Sequence, residues 1–135
     1  MGIETELDGA VCVIKMAGKT STQSFSMAFL PSIAEAIDNA LKDESIKAIV
    51  LTGEGRFFSA GADIHAFQEA IDSNSAPELI RNLTGVLHPL LQRIRTSSTI
   101  VVAALNGVSA GGGLGLALAC DCLLYTSDAA DERLS

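Results

Sequence analysis

Phe57-Phe58-Ser59-Ala60-Gly61-Ala62-Asp63-Ile64 and Asn106-Gly107-Val108-Ser109-Ala110-Gly111-Gly112-Gly113-Leu114-Gly115 decide how this chain is read. Each segment follows a short apolar run, Ala48 to Thr52 in the first case and Ile100 to Leu105 in the second, and each leads into a helical pattern. Backbone N–H groups at a helix start have no partner within the helix, and glycine lets a ligand come close to them. Two such segments on one short chain suggest a two-donor oxyanion hole.

The rest of the sequence alternates strand and helix patterns. Val11-Cys12-Val13-Ile14-Lys15-Met16 predicts a strand, and Leu7-Asp8-Gly9 predicts a hairpin turn from a strand over residues 3–7. Between Ser26 and Asp43, Leu30, Ile33, Ala34, Ile37 and Leu41 recur at three- and four-residue intervals, which predicts a helix with one buried face. Pro31 is tolerable only near the start of that helix. Ala48 to Thr52, bounded by Gly53, reads as a strand buried on both faces. A helical pattern then runs from Asp63 through Phe67 and Ile71 to a break at Asp72-Ser73-Asn74-Ser75. A longer one carries Leu79, Leu83, Val86, Leu87, Leu90, Leu91 and Ile94, with Pro89 expected to kink it or loosen its hydrogen bonds. Cys122 to Tyr125 reads as a further strand. This order implies parallel crossovers with the helices outside the strands, and no internal linker interrupts it.

A chain of 135 residues, 48% apolar and 19% charged, suits one globular domain with a modest core. One Tyr, five Phe and no Trp leave that core to Ala, Val, Ile and Leu. The net charge of −7 and the absence of a Lys/Arg cluster argue against nonspecific binding of nucleic acid. The first residues lack the pattern of a signal peptide, and no apolar run reaches the roughly 18 residues of a membrane span. The expectation is a soluble, cytoplasmic protein without membrane partners. Cys12, Cys120 and Cys122 have neither zinc nor disulfide spacing. Cys12 lies in an apolar strand, whereas Cys120 and Cys122, two apart, would point the same way in a strand. With no further Cys or His beside them, buried thiols and no metal site are expected.

Together, in this order and each after an apolar strand, the two glycine segments resemble the signature runs of the enoyl-CoA hydratase/isomerase (crotonase) family. The likeness covers Glu4 to Asp121. It implies an α/β fold of crotonase type, the ββα superhelix or spiral shared with ClpP, here truncated because family members are usually much longer. Residues 1–125 would form the amino-terminal part of that core, and residues 126–135 read as an atypical tail, disordered or foreign. The resemblance further implies that the backbone N–H groups of Ala62 and Gly112 form the oxyanion hole. Ala60, Gly61, Asp63, Ile64 and Gly111 would line the substrate, with main-chain groups of residues 60–64 against the adenine of coenzyme A. The implied partner is an acyl-CoA thioester, with coenzyme A as part of the substrate and no separate cofactor. The full-length parent would be a homo-oligomer, a trimer or a dimer of trimers.

Two fixed N–H donors stabilise charge on a thioester oxygen more in the transition state to an enolate than in the ground state, and one such donor is worth about 3 kcal/mol. The dipole of a helix from Gly113 to Cys120, with Gly112 at its start, would add to this. Gly115 stands where hydratases of the family carry a glutamate. That departure disfavours simple hydration and favours double-bond isomerisation by a carboxylate further along, so that this chain alone is expected to be catalytically incomplete. An enoyl-CoA hydratase and a non-catalytic acyl-CoA binding or assembly module stay open as alternatives. Gln23-Ser24-Phe25 and Thr96-Ser97-Ser98-Thr99 also depart from the family's usual residues and are expected to alter local packing.

Blander readings of the same residues also stand. Gly111 to Gly113 suit close packing of a helix on a sheet, and Asp63 suits an N-cap better than a catalytic base. Arg56 reads as a solvated cation or a phosphate contact, and His65 and His88 as partly exposed residues without a paired nucleophile. Gly113 occupies the place of a P-loop lysine and Leu116 that of a dinucleotide-fingerprint glycine, so neither nucleotide motif is present.

Overall fold

The computed structural model describes residues 2–125, and the expected tail over residues 126–135 lies outside the described residues. The first strands, β1 (Gly2–Asp8) and β2 (Val11–Ala17), form the expected hairpin, with Asp8 opposite Val11. They are followed by α1 (Leu30–Lys42), β3 (Ala48–Gly53), β4 (Phe57–Ser59), α2 (Ile64–Asp72), α3 (Ala76–Thr96), β5 (Ile100–Leu105), β6 (Val108–Ser109), α4 (Gly112–Ala119) and β7 (Cys122–Tyr125). A five-stranded sheet has the order β1-β2-β3-β5-β7, antiparallel only between β1 and β2. A second, two-stranded sheet pairs β4 with β6 in parallel.

Register explains the core. Cys12 lies opposite Ile49 and Ile49 opposite Val101, while Ile14, Leu51 and Ala103 form the next row. All six are buried, and Leu30, Ile33 and Ile37 of α1, Leu90 and Ile94 of α3 and Leu116 of α4 belong to the same core. Strand residues alternate between faces. The opposite row, Val13, Val50 and Val102, is accordingly only half-buried. This corrects the reading of β3 as buried on both faces: a continuous apolar run does not reveal whether a second layer covers it.

Helix α1 starts at Leu30 and not at Ser26. The Ser26 carbonyl accepts from the N–H groups of Phe29 and Leu30 at 3.2 and 2.8 Å, and its Oγ accepts from Phe29 N–H at 3.0 Å, which makes a turn before the helix. Pro31 then falls in the first turn, where a missing N–H costs nothing. Helix α3 runs from Ala76 to Thr96 with Pro89 inside it. The carbonyl that loses its partner there belongs to Gly85, which is exposed and leaves room for solvent. Arg93 of α3 grips Asp38 of α1 through two hydrogen bonds, Nε to Oδ1 at 2.8 Å and Nη2 to Oδ2 at 3.0 Å. This bidentate pair links the two helices at the surface, above the core they share.

The chain repeats one path. After β3 it turns into β4 and then α2, and after β5 it turns into β6 and then α4. After β2 it makes a single parallel bridge, Phe25 with Ala62, before α1. This is the ββα repetition that the resemblance implied. Helix α4 spans Gly112–Ala119, one residue earlier at each end than expected.

A Cβ at Gly85 would meet nothing within 4 Å. Gly85→Ala is therefore expected to stabilise the protein by about 0.5–1 kcal/mol through helix propensity, measured by urea denaturation.

Candidate active site

Three buried or half-buried polar side chains hold the two glycine segments together. Asn106, at the end of β5, accepts from Gly53 N–H at 2.9 Å and donates through Nδ2 to the carbonyls of Gly55 at 2.9 Å and Phe57 at 3.0 Å. It thereby ties the β5–β6 turn to the β3–β4 turn. Ser59 is fully buried; its Oγ donates to the Gln23 carbonyl at 2.8 Å and accepts from Gly61 N–H at 3.1 Å. Gln23 is buried at φ 52°, accepts from Gly18 N–H at 2.7 Å and donates to the Glu54 carbonyl at 3.0 Å. In the sequence Asn106 is only the first residue of the second glycine segment, and Gln23 only a local departure from the family's usual residues. Each of the three bonds at least one group more than thirty residues away, which no local pattern marks.

The β4–β6 pairing, with Ala110 N–H donating to the Ser59 carbonyl at 3.0 Å, carries residues 110–113 against residues 59–61. The approach is close. A Cβ on Gly61, which has φ 85°, would lie 2.9 Å from the Gly112 nitrogen and 2.8 Å from the Ala110 carbonyl oxygen. A Cβ on Gly113 would overlap the Ser59 carbonyl. The structure thus brings Gly61 against Gly111 and Gly112, with Ala62 next along the chain.

The individual groups are not equally available. Ala60 N–H donates to the Thr22 carbonyl at 2.9 Å, Gly61 N–H is taken by Ser59, and the Gly61 carbonyl accepts from Phe25 N–H at 2.7 Å. The parallel bridge at Ala62 is bonded through its flanking residues, which leaves the Ala62 N–H turned away from Phe25. Among the described residues, neither Ala62 N–H nor Gly112 N–H finds an acceptor. Gly112 is the first residue of α4, so its N–H points along the positive end of the helix dipole. Asp63 is the N-cap of α2; its Oδ1 accepts from His65 N–H at 3.0 Å and Ala66 N–H at 3.3 Å. Ile64 is 80% exposed.

Two cavities flank Asp63 and Ser26. One of about 270 Å³ is walled by Phe25, Met27, Phe67, Leu79 and Leu83 and reaches Ala62. The other, about 340 Å³, is lined by Gly18, Lys19, Thr20, Ser24 and Ser32 among others. Phe25 joins the first cavity to Gly112, since its ring carbon Cδ2 lies 3.3 Å from where a Gly112 Cβ would stand. Position 115 is open: a Cβ there would meet nothing within 4 Å.

Arg56, His65 and His88 are exposed. Of the thiols, Cys12 is buried as expected, but Cys120 is only partly buried and Cys122 is exposed. The two do not share a strand, because Cys120 is the C-cap of α4 and Cys122 opens β7. Burial pushes the Cys120 thiol up to about 12, with the adjacent Asp121 carboxylate adding to the effect. Burial likewise raises Cys12, with a smaller contribution from Asp43.

This fold is that of the ββα spiral proteins. The crystal structure of an enoyl-CoA hydratase from Bacillus halodurans matches it with a TM-score of 0.84 at 25% identity, over 93% of this chain and 50% of that one. The chain belongs to the enoyl-CoA hydratase/isomerase family, whose sequence profile matches residues 6–132. A Thermus thermophilus protein provisionally named an enoyl-CoA hydratase is 36% identical over 90% of this chain and 47% of its own length. The 4-chlorobenzoyl coenzyme A dehalogenase-2 of an Arthrobacter species is 33% identical over 94% of this chain and 46% of its own length. The chain therefore spans about half the length of these relatives. Among the described residues no helix is long and apolar enough to cross a membrane.

Two outcomes are expected. Asn106→Asp would set an oxygen against the Gly55 and Phe57 carbonyls and should destabilise by about 2–3 kcal/mol in chemical denaturation. Iodoacetamide at neutral pH should alkylate Cys122 first, with Cys120 becoming reactive only as pH rises toward about 12, an order that peptide mass spectrometry reads directly.

Proposed function

We propose that this chain supplies the thioester-holding part of an acyl-CoA enzyme, in which Ala62 N–H and Gly112 N–H together bind the thioester carbonyl oxygen. The observation that supports the reading is the close approach of Gly61 to the Gly112 nitrogen, together with Ala62 and Gly112 N–H groups that find no acceptor among the described residues and an apolar cavity lined in part by Ala62. When a proton leaves the carbon next to the thioester, its bonding electrons form a carbon–carbon double bond and the carbonyl electrons move onto oxygen. Donors already fixed around that oxygen need no reorganisation as the charge appears, and the α4 dipole favours it further. With Ala62 N–H given to the thioester oxygen, the Ile64 N–H is the uncommitted donor that an adenine edge would meet, with Ala60, Gly61, Asp63 and Gly111 shaping the surface.

For the whole enzyme we infer double-bond isomerisation of an enoyl-CoA. Gly115 offers no carboxylate on the first turn of α4, which removes the water-positioning group of a hydratase and places hydration second. Asp63 already uses Oδ1 on the α2 cap. In this reading the carboxylate that carries the proton lies further along the chain than α4. Coenzyme A enters as part of the substrate, and no metal or redox cofactor takes part in the reaction as proposed. Free thiols fit a reducing compartment such as the cytoplasm. Exposed Ile100, Leu118 and Leu124 offer apolar area for assembly as a trimer or dimer of trimers.

Difference infrared spectroscopy with a carbonyl-labelled acyl-CoA tests the donor pair. The bound thioester carbonyl stretch should move to lower wavenumber in the native chain and return toward its solution value in Gly61→Ala, whose added methyl displaces Gly112. Circular dichroism monitors the fold of the variant. An unshifted carbonyl in the native protein, or a full shift in folded Gly61→Ala, overturns the assignment.

A further inference from the structure

Resting on the thioester reading above, we infer that the cavity beside Ala62 takes an uncharged, medium-length acyl group and rejects acyl groups ending in a carboxylate. Two cavities meet at Ser26 and Asp63. The one lined by Lys19, Thr20, Ser24 and Ser32 has the hydroxyls and the cation that a polar, phosphate-bearing carrier requires. The other has walls of Phe25, Met27, Phe67, Leu79, Ile80 and Leu83. A thioester whose oxygen lies at Ala62 therefore has a polar side for its carrier and an apolar side for its acyl chain.

Charge and size narrow the occupant. Among the described residues no lysine, arginine or histidine lines the apolar cavity, and the one charged residue there is Asp63, an acid at the edge. A terminal carboxylate entering there would lose its water, find no cation and face a like charge. At roughly 30 Å³ for a water-sized group, the cavity's 270 Å³ leaves room for an acyl chain several carbons longer than acetyl. Met27 is 40% exposed, Phe67 36% and Ile80 46%, so the cavity rim carries apolar area that a bound chain would cover.

Equilibrium binding of acetyl-CoA, hexanoyl-CoA and adipoyl-CoA to the 135-residue chain tests this, hexanoyl and adipoyl being matched in carbon number. Hexanoyl-CoA is expected to bind about tenfold or more tightly than either of the others. Ile80→Lys, at a position exposed enough to keep the fold, should narrow the gap between hexanoyl- and adipoyl-CoA by bringing a cation to the rim. Equal or tighter binding of adipoyl-CoA, or no gain of hexanoyl- over acetyl-CoA, overturns the acyl assignment. If acetyl-CoA still binds and is weakened by Gly61→Ala in that case, the thioester site itself stands. Absence of binding by all three at millimolar concentration overturns both.

Discussion

The close approach of backbone to backbone between residues 59–61 and 110–113 is the constraint on which the rest depends. Side chains are almost excluded there, because a methyl at Gly61 meets the Gly112 nitrogen and one at Gly113 meets the Ser59 carbonyl. What remains at the surface is main chain. A site made of N–H groups has no titrating side chain of its own, and its geometry is as rigid as the strands that carry it.

That rigidity originates in the larger sheet. The parallel pairing of β3 with β5 puts the ends of both strands side by side, so that Asn106 can bond to Gly53, Gly55 and Phe57 and start β4 and β6 in register. Burial of Ile49, Leu51, Val101 and Ala103 beneath α1 and α3 stabilises the pairing. Gln23 and Ser59 then join the loop after β2 to β4, which brings Phe25 beside Ala62 and Gly112. Core packing, polar ties and the shape of the apolar cavity are consequently one continuous arrangement.

The long elements were legible because each repeats its signal over several residues. Leu30, Ile33 and Ile37 mark the buried face of α1, and the run from Ile100 to Leu105 gives β5 its observed bounds. Strands β4 and β6, of three and two residues, are too short for any period to show. The half-buried outer row of Val13, Val50 and Val102 misled for a different reason: hydrophobicity records what a residue tolerates, not what covers it. Cys122 was misplaced because burial at a strand start depends on neighbours that its own position does not specify.

The sequence by itself determined the family, the order of the longer strands and helices, and the two places where main-chain donors were to be sought, since glycine spacing and apolar period are local properties. It also determined Asp63 as a cap, because the acceptor and its donors lie within three residues. Only the tertiary structure decided that Gly61 lies against Gly112, that Asn106, Gln23 and Ser59 hold that contact, and that an apolar cavity, without a cation among the described residues, adjoins Ala62. Those relations join residues tens of positions apart, and they exist only once parallel strand pairing has closed the distance.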